Sequence, residues 1–263
     1  MRIELIRVGK QILRVGIRAG DKTRTPLLLF NGIGASIELI APFLEQLEEP
    51  EAIVFDVPGV GGSPTPLLPY RPSTLTRLAA RLLDQLGHPE VDVLGVSWGG
   101  VLAQQFAFQQ RERCRRLVLA ATSPGHLMVP GKISAMMKMA TPRRYTDPAY
   151  MKRIAASIYG GAFRGSSALA EEHLRHLHWS SDYGYYLQLF ACLGWSSLPW
   201  LPFVTQPTLV MMGADDPIVR VVNGRILAKL IPNARLVTID DGHLFLVTSA
   251  QEAAGKVAEF LKN

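Results

Sequence analysis

The pentapeptide GVSWG at residues 95–99 is the clearest candidate for chemistry in the chain, because it sets a serine between two glycines. An apolar run at 91–94 precedes it and predicts a short buried strand, while the segment Gly99–Gln110 has the apolar spacing of a helix. A serine at a strand–turn–helix junction of this kind is a nucleophile elbow. The tight turn requires small residues two positions either side of Ser97, and it lifts the Ser97 hydroxyl off the sheet.

The composition of the chain shows how often this motif would occur by chance. About 0.1 matches to Gly-x-Ser-x-Gly are expected by chance at this glycine content, and the required flanking strand and helix lower that number further. The alternative interpretation is a glycine-rich entry to a helix with no chemistry. As a nucleophile, Ser97 would need a base, and the base would need an acid to orient it.

His243 is the candidate base. It ends the sequence DDGH at 240–243, directly after the last predicted strand, so a loop would bring its imidazole over the sheet. In enzymes with this elbow the acid and then the histidine follow the serine along the chain. His126 lies at the start of an insertion, and its alternative role is to line the cleft above the sheet. The other histidines are expected in a turn or on helices and surfaces, without metal-ligand spacing: His88, His173, His176 and His178.

Asp216 is the candidate acid, and the adjacent Asp215 is its competitor. Both lie in the sequence GADDP at 213–217, at the end of the strand before the last one. Asp216 is preferred because it lies three residues past Gly213 and just before Pro217. An acid after the sixth strand is a known variant, but residues 117–131 contain no Asp or Glu.

Two backbone N–H groups are needed to stabilise the oxyanion of an acyl-transfer intermediate. Trp98 supplies one of them, since its N–H directly follows the serine. Ile33 is the candidate for the other, in the sequence FNGIG at 30–34 after the third predicted strand. Gly32 and Gly34 let this backbone approach a substrate.

The glycine-rich sequence FDVPGVGGS at 55–63 resembles a phosphate-binding loop at first sight. It lacks the Lys-Ser/Thr ending of a P-loop, and no helical pattern opens directly after its glycines as a dinucleotide-binding fold requires. We interpret it as a structural turn. Neither an organic cofactor nor a metal ion is expected.

The elements that carry these residues alternate between strands and helices. Two segments of alternating polar and apolar residues predict an N-terminal hairpin through Gly9 and Lys10. Gly87 marks the end of a helix, and the pair Ser249 and Glu252 predicts a capping box at the start of another. The order predicts an α/β fold with a mostly parallel, eight-stranded sheet and helices on both faces. The predicted strands are Arg2–Val8, Gln11–Arg18, Pro26–Phe30, Ala52–Val57, Val91–Val96, Leu117–Ala121, Thr208–Met212 and Arg235–Ile239. The predicted helices are Ser36–Leu47, Ser73–Leu86, Gly99–Gln110, Val219–Leu230 and Ser249–Leu261.

Residues 125–203 interrupt this alternation. The segment has no convincing strand and holds five of the eight methionines, six of the seven tyrosines and three of the four tryptophans. We expect a helical cap inserted after the sixth strand, between core segments 1–124 and 204–263, over the strand ends where open α/β sheets bind ligands. Its Met and aromatic residues are expected either to form the cap's own core or to contact an apolar ligand.

Composition restricts the classes of partner. The net charge of +6 is spread over the chain without a long basic run or a nucleic-acid motif, so a solvated basic surface is expected and no nucleic acid. No stretch has the apolar length of a membrane span, and the N-terminus lacks the apolar core of a secretory signal. The two cysteines, Cys114 and Cys192, are expected to be reduced in a cytoplasmic protein. The oligomeric state is not predicted.

The chain resembles the intracellular depolymerases of medium-chain-length poly(3-hydroxyalkanoate), within the α/β-hydrolase superfamily. The resemblance runs nearly end to end, and the motifs of the insertion point to the polyester, while the others indicate only a hydrolase. It implies a triad of Ser97, Asp216 and His243 and a stored polyester as substrate. The motifs are FNGIGA at 30–35, FDVPGVGGS at 55–63, GVSWGG at 95–100, LAQQFA at 102–107, IYGGAF at 158–163 and DDGHLFLVT at 240–248.

We therefore expect a serine esterase that cleaves 3-hydroxyacyl polymers or oligomers, in the cytoplasm and at the storage granule. A 3-hydroxyacyl transferase or a general carboxylesterase on the same fold is the first alternative, although no histidine here has the Asp five residues on that such transferases often show. Polymer synthases normally present a cysteine where this chain has Ser97. An alternative of another class is a non-catalytic, granule-binding protein with a hydrolase fold.

Overall fold

Eight strands form one sheet in the computed structural model of the chain, which describes residues 1–47, 49–175 and 181–262. The spatial order is β1-β2-β4-β3-β5-β6-β7-β8; β2 pairs antiparallel with β1 and β4, and all other pairs are parallel. The predicted hairpin and the mostly parallel, eight-stranded sheet are therefore confirmed. The strands are Arg2–Val8 (β1), Gln11–Arg18 (β2), Leu27–Phe30 (β3), Ala52–Phe55 (β4), Val91–Val96 (β5), Cys114–Ala120 (β6), Thr208–Gly213 (β7) and Ala234–Ile239 (β8).

The central strands are apolar on both faces because both faces are covered. Every residue of β3, β4, β5 and β7 is buried. One apolar core lies between the sheet and the helices that include Leu82 and Phe106, and a second lies on the other face with Phe43 and Phe260. The helices are Ala41–Gln46 (α1), Pro72–Leu86 (α2), Trp98–Gln109 (α3), Ile133–Met139 (α4), Arg143–Thr146 (α5), Pro148–Tyr159 (α6), Ser167–Arg175 (α7), Asp182–Ala191 (α8), Val221–Leu230 (α9), Phe245–Thr248 (α10) and Ala250–Lys262 (α11).

Two of the predicted helices differ from the structure in detail. The predicted helix Ser36–Leu47 divides into a 3-10 turn at Ile37–Ile40 and α1, which has a proline in its first turn. The predicted helix Ser249–Leu261 is preceded by the separate short helix α10. Ser249 donates its hydroxyl to Asp241 and its N–H to the Phe245 carbonyl, so the reciprocal capping box with Glu252 is not made.

The insertion between β6 and β7 carries helices α4 to α8, and its described residues form no strand. An isolated bridge between Gly125 and Ser196 brings its two ends together. A third apolar core lies inside it, around Met151, Ile158 and Phe163. The predicted positions His176, His178 and Trp179 fall outside the described residues. No helix within the described ranges combines the length and apolar character needed to cross a bilayer.

Candidate active site

Ser97 occupies a sharp turn between β5 and α3. Its φ of 55° and ψ of −119° lie in a region that residues with side chains rarely adopt. The flanking glycines make room for the turn: a Cβ atom on Gly99 would lie 2.0 Å from the Phe30 carbonyl oxygen, and one on Gly95 would lie 2.4 Å from the Gly99 carbonyl oxygen. The predicted strand–turn–helix is therefore present, and Ser97 lies in the turn between β5 and α3.

The His243 imidazole lies between Ser97 and Asp216. Its Nε2 is 3.0 Å from the Ser97 hydroxyl oxygen, and its Nδ1 is 2.6 Å from Asp216 Oδ2. Both His243 and Asp216 are buried. The second Asp216 oxygen accepts the N–H groups of Ile218 and Val219, so the carboxylate is held from both sides. The structure brings together the three residues that the sequence predicted for a nucleophile, a base and an acid.

Asp215 has different partners from Asp216. Its carboxylate forms an ion pair with the Arg164 guanidinium and accepts the Gly161 N–H at 2.8 Å. These hydrogen bonds, with the Arg164 pair first, hold the pKa of Asp215 below its ordinary value. Asp215 therefore joins the insertion to the loop after β7, and among the described residues it is Asp216 that is hydrogen-bonded to the His243 ring.

Asp241 fixes the loop that carries His243, a role that no pattern in the sequence predicts. Although burial of the Asp241 carboxyl opposes ionisation, its hydrogen bonds prevail and hold its pKa below the ordinary value. Its partners are the hydroxyls of Thr248 and Ser249 and the N–H groups of Ala162 and Gly242. The one signal in the sequence is the position of Asp241 two residues before His243 in DDGH.

The insertion also holds the His243 backbone. The His243 N–H donates to the Tyr159 carbonyl at 2.7 Å. Gly160 and Gly161 follow with positive φ values of 66° and 48°, which glycine adopts without strain. A Cβ on Gly160 would lie 2.0 Å from the Asp215 carbonyl oxygen, so this turn of the insertion packs directly against the loop of the candidate acid.

The two predicted oxyanion donors lie at the start of α3 and in the loop after β3. The Trp98 N–H opens helix α3, and the first N–H groups of a helix have no intrahelical acceptor. Within the described ranges, neither this N–H nor that of Ile33 donates a hydrogen bond to the protein. The Ile33 loop approaches the serine closely, since a Cβ on Gly32 would lie 3.7 Å from the Ser97 Cβ. Asn31 holds this loop by donating to the Ser36 carbonyl and accepting the Gly32 N–H.

Two cavities meet at Ser97. The smaller encloses roughly 540 Å³ including its mouth, and His243, Tyr159 and Arg144 are among its walls. The larger encloses roughly 1180 Å³ and is mainly apolar. Both are lined by Ser97, Ile33 and Met139, so the serine borders both cavities. Residues of the insertion that line the larger cavity include His126, Met128, Met136, Leu189 and Leu193.

The remaining candidates have structural surroundings. His88 pairs with Glu51 at 2.8 Å, and His173 is buried beside Tyr159 in the insertion. No three His, Cys, Asp or Glu side chains in the described part of the chain are grouped to hold a metal ion. In the glycine-rich segment 55–63, the buried Asp56 carboxylate accepts the N–H groups of Gly62 and Ile37, so the segment folds into turns about this side chain.

Comparison with known proteins agrees with this architecture. A family model described as the alpha/beta hydrolase fold matches residues 25–250. A poly(3-hydroxyalkanoate) depolymerase of Ectopseudomonas oleovorans is 52% identical over 258 residues, which cover 98% of this chain and 91% of that protein. The 3-oxoadipate enol-lactonase 2 of Acinetobacter baylyi is 26% identical over 88% of this chain and 86% of its own length.

Solved structures extend the similarity of fold. The enol-lactonase from Burkholderia xenovorans LB400 superposes with a TM-score of 0.85 at 22% identity, covering 99% of this chain and 100% of that one. A hydrolase from Pseudomonas aeruginosa PA01 superposes with a TM-score of 0.83 at 24% identity, covering 99% and 98% of the two chains. At these identities the likeness establishes the fold alone, and it confirms the predicted fold class.

Proposed function

The chain belongs to the α/β-hydrolase family, and within it to the family of its poly(3-hydroxyalkanoate) depolymerase relative. From this membership we propose the catalytic roles of its residues. It is a carboxylic ester hydrolase whose substrate class is poly(3-hydroxyalkanoate). Ser97 is the nucleophile, His243 the general base and acid, and Asp216 the residue that orients the imidazole. The observation that supports these roles is the continuous pair of hydrogen bonds from Ser97 through His243 to Asp216, at the junction of two cavities.

The first half of the reaction forms an acyl-enzyme. The Ser97 oxygen attacks the ester carbonyl carbon while His243 Nε2, 3.0 Å away, takes the hydroxyl proton. Asp216 accepts the Nδ1–H and stabilises the imidazolium that forms. The N–H groups of Trp98 and Ile33 donate to the negative carbonyl oxygen. His243 then returns its proton to the departing alcohol oxygen, and the ester bond breaks.

The second half of the reaction releases the acid. A water molecule gives a proton to His243 Nε2 as its oxygen attacks the acyl carbon, and the Ser97 oxygen leaves with the returned proton. The products are a 3-hydroxy acid, free or at the new end of a shortened chain, and the alcohol end of the remaining polymer. Every proton in this cycle is transferred by His243, and the cycle requires neither a metal ion nor an organic cofactor.

The cavities support medium-chain-length side chains as the preferred substituents of the polyester. Met128, Met136 and Met139 give the larger cavity flexible apolar walls, which adapt to alkyl chains. Burial contributes about 0.8 kcal/mol for each methylene removed from water, so longer alkyl side chains gain binding energy there. Because the two cavities share Ser97, one can take the acyl side of the scissile ester and the other the alcohol side.

We propose that residues 125–203 form a cap on a core of residues 1–124 and 204–263, and that the cap docks on the polyester granule in the cytoplasm. Several large apolar side chains of the cap are exposed, and exposed apolar patches mark sites of association. We call the exposed residues concerned the apolar cap surface: Leu127, Ile133, Met137, Phe190 and Leu193, which are between 60% and 73% exposed.

A substrate panel tests the proposed function. Purified protein is given p-nitrophenyl esters from acetate to decanoate and an emulsified medium-chain-length poly(3-hydroxyalkanoate), with the released acids identified by mass spectrometry. We expect kcat/KM to rise from acetate toward the medium chains and 3-hydroxy acids to appear from the emulsion. Hydrolysis of the p-nitrophenyl esters without release of any 3-hydroxy acid from the polymer would contradict the assigned substrate class.

A further inference from the structure

We propose that Gln188 in the insertion is a positioning residue for both oxyanion donors, and that Tyr145 assists it at Ile33. The inference rests on the proposed function, because it concerns the same oxyanion. It assigns to the insertion a part in the chemical step for every ester, whatever the length of its acyl chain. The insertion would then complete the catalytic apparatus as well as cover it.

Gln188 contacts the surroundings of both donors at once. Its side-chain Oε1 accepts the Gly34 N–H at 2.7 Å, and its backbone carbonyl accepts the Trp98 indole N–H at 2.9 Å. Gln188 is 1% exposed, so water does not compete for these hydrogen bonds. Gln188 therefore contacts both the loop that carries the Ile33 N–H and the side chain of Trp98.

Helix α5 holds the other end of the same peptide group. The Tyr145 hydroxyl donates to the Ile33 carbonyl at 2.6 Å, and the Arg144 guanidinium donates to it at 3.3 Å. The peptide between Ile33 and Gly34 is thus fixed at its oxygen by α5 and at its N–H by Gln188 on α8. This planar group is joined through the Ile33 Cα to the peptide that carries the Ile33 N–H, so fixing it restricts where that donor can lie relative to the oxyanion.

The approach of α8 depends on two glycines. A Cβ on Gly184 would lie 1.7 Å from the Gly59 carbonyl oxygen, so the helix rests on the backbone of the glycine-rich turn at 55–63. Gln188 lies four residues further on, on the same face of α8. Close contact at Gly184 therefore brings the Gln188 side chain within reach of Gly34. This gives the glycine-rich turn a function that its sequence did not reveal.

The expected effect is on kcat rather than on KM. The Gly34 N–H would be left buried without an acceptor if Gln188 lost its amide, and the loop would turn to satisfy it. The donors act on the oxyanion, which exists only in the transition state and intermediates, so ground-state binding of the ester is not affected. Removing an oxyanion donor outright costs roughly 100- to 1000-fold in kcat, and misplacing one costs less.

The test compares Gln188→Leu with Gln105→Leu. Gln105 is the matched control, because its side chain accepts the Trp195 indole N–H at 2.8 Å and so also joins the core to the insertion, away from the oxyanion loop. Both variants are assayed with p-nitrophenyl acetate and octanoate. Affinity for an alkylboronic acid, whose adduct with Ser97 carries the tetrahedral anion, is measured alongside the unfolding temperature.

We expect Gln188→Leu to lose roughly 10- to 100-fold in kcat on both esters with KM within about twofold, and to bind the boronic acid correspondingly less tightly. Tyr145→Phe, which removes one hydroxyl, serves if Gln188→Leu does not fold, with an expected loss of about 3- to 10-fold in kcat. Equal losses in the Gln188 and Gln105 variants, or a loss confined to KM, would overturn the inference. A wild-type protein inactive on all esters would overturn the proposed function instead.

Discussion

Asp215 and Asp216 are neighbours in the chain, yet their carboxylates serve different loops. Asp216 Oδ2 lies 2.6 Å from His243 Nδ1, whereas Asp215 pairs with Arg164 and accepts the Gly161 N–H of the insertion. One aspartate is thus placed to orient a base, and the other to seat the insertion beside it. The same substitution at each of these two adjacent positions therefore tests which aspartate orients His243.

Asp216→Asn should lower kcat by roughly 10³- to 10⁴-fold, because an asparagine no longer stabilises the imidazolium or selects the correct His243 tautomer. Asp215→Asn should cost less than about tenfold, since it weakens an exposed ion pair. Steady-state kinetics on one soluble ester measure both. The reverse ranking would mean that Asp215 is the acid in solution.

Ser97→Ala should abolish ester turnover and covalent labelling by a fluorophosphonate. The reagent phosphonylates an activated serine, and no other hydroxyl in the described part of the chain is hydrogen-bonded to the imidazole of His243. Intact-protein mass spectrometry follows the label, and circular dichroism checks that the fold is kept. Labelling that persists in Ser97→Ala would identify a different nucleophile.

Local sequence encodes the serine turn and the order of the three candidate catalytic residues. Strand β5 was predicted at its observed bounds, and the turn at Ser97 has a pattern of glycines that few other structures need. The positions of Asp216 and His243 after successive strands predict their roles. Each of these features depends on residues a few positions apart, and the parallel sheet brings the strand ends together.

The contacts between the insertion and the site are not encoded in local sequence. Gln188 is 154 residues from its partner Gly34, and no local pattern relates them. Ser249 is the opposite case, because the local sequence predicts a capping box, but the Ser249 hydroxyl donates to Asp241 instead. Tertiary hydrogen bonds override a local preference worth about 1 kcal/mol, and they are visible only once the fold is known.

Asp241 makes a stability contribution that should depend on pH. Its folded pKa lies below the ordinary value of 3.8, so the contribution is fully present above that value and is lost as the pH falls through the folded pKa. Asp241→Asn should reduce the free energy of unfolding by about 1–3 kcal/mol at neutral pH, and the difference from wild type should shrink below about pH 4.

Urea unfolding of the Asp241→Asn and wild-type proteins at several pH values measures this difference. Asp240→Asn is the matched control, because Asp240 is exposed and its replacement should change stability by less than about 0.5 kcal/mol. A difference for Asp241→Asn that stays constant down to pH 2.5 would show that the charge of this carboxylate does not stabilise the His243 loop.

Gly184→Ala should destabilise the protein by roughly 1–3 kcal/mol, because the added methyl group meets the Gly59 backbone and forces α8 outward. Gly255→Ala should instead stabilise it by about 0.5–1 kcal/mol, since Gly255 lies inside α11 with open space around it. Unfolding in urea compares the two. Equal tolerance of alanine at both positions would contradict the close contact between α8 and the glycine-rich turn.

The apolar cap surface should matter for insoluble polymer and not for small esters. Met137 and Phe190, 70% and 60% exposed, would bury apolar area against a granule, and burial contributes roughly 25 cal/mol per Å². The double variant Met137→Ser, Phe190→Ser should therefore degrade emulsified polyester at least about fivefold more slowly while p-nitrophenyl acetate hydrolysis stays within about twofold. Leu5→Ser is the control, because Leu5 is 68% exposed on strand β1, outside the insertion. Granule cosedimentation separates binding from turnover. If Leu5→Ser and the double variant slow polymer degradation equally, the loss does not depend on where the exposed apolar side chains lie, and the insertion does not provide the docking face.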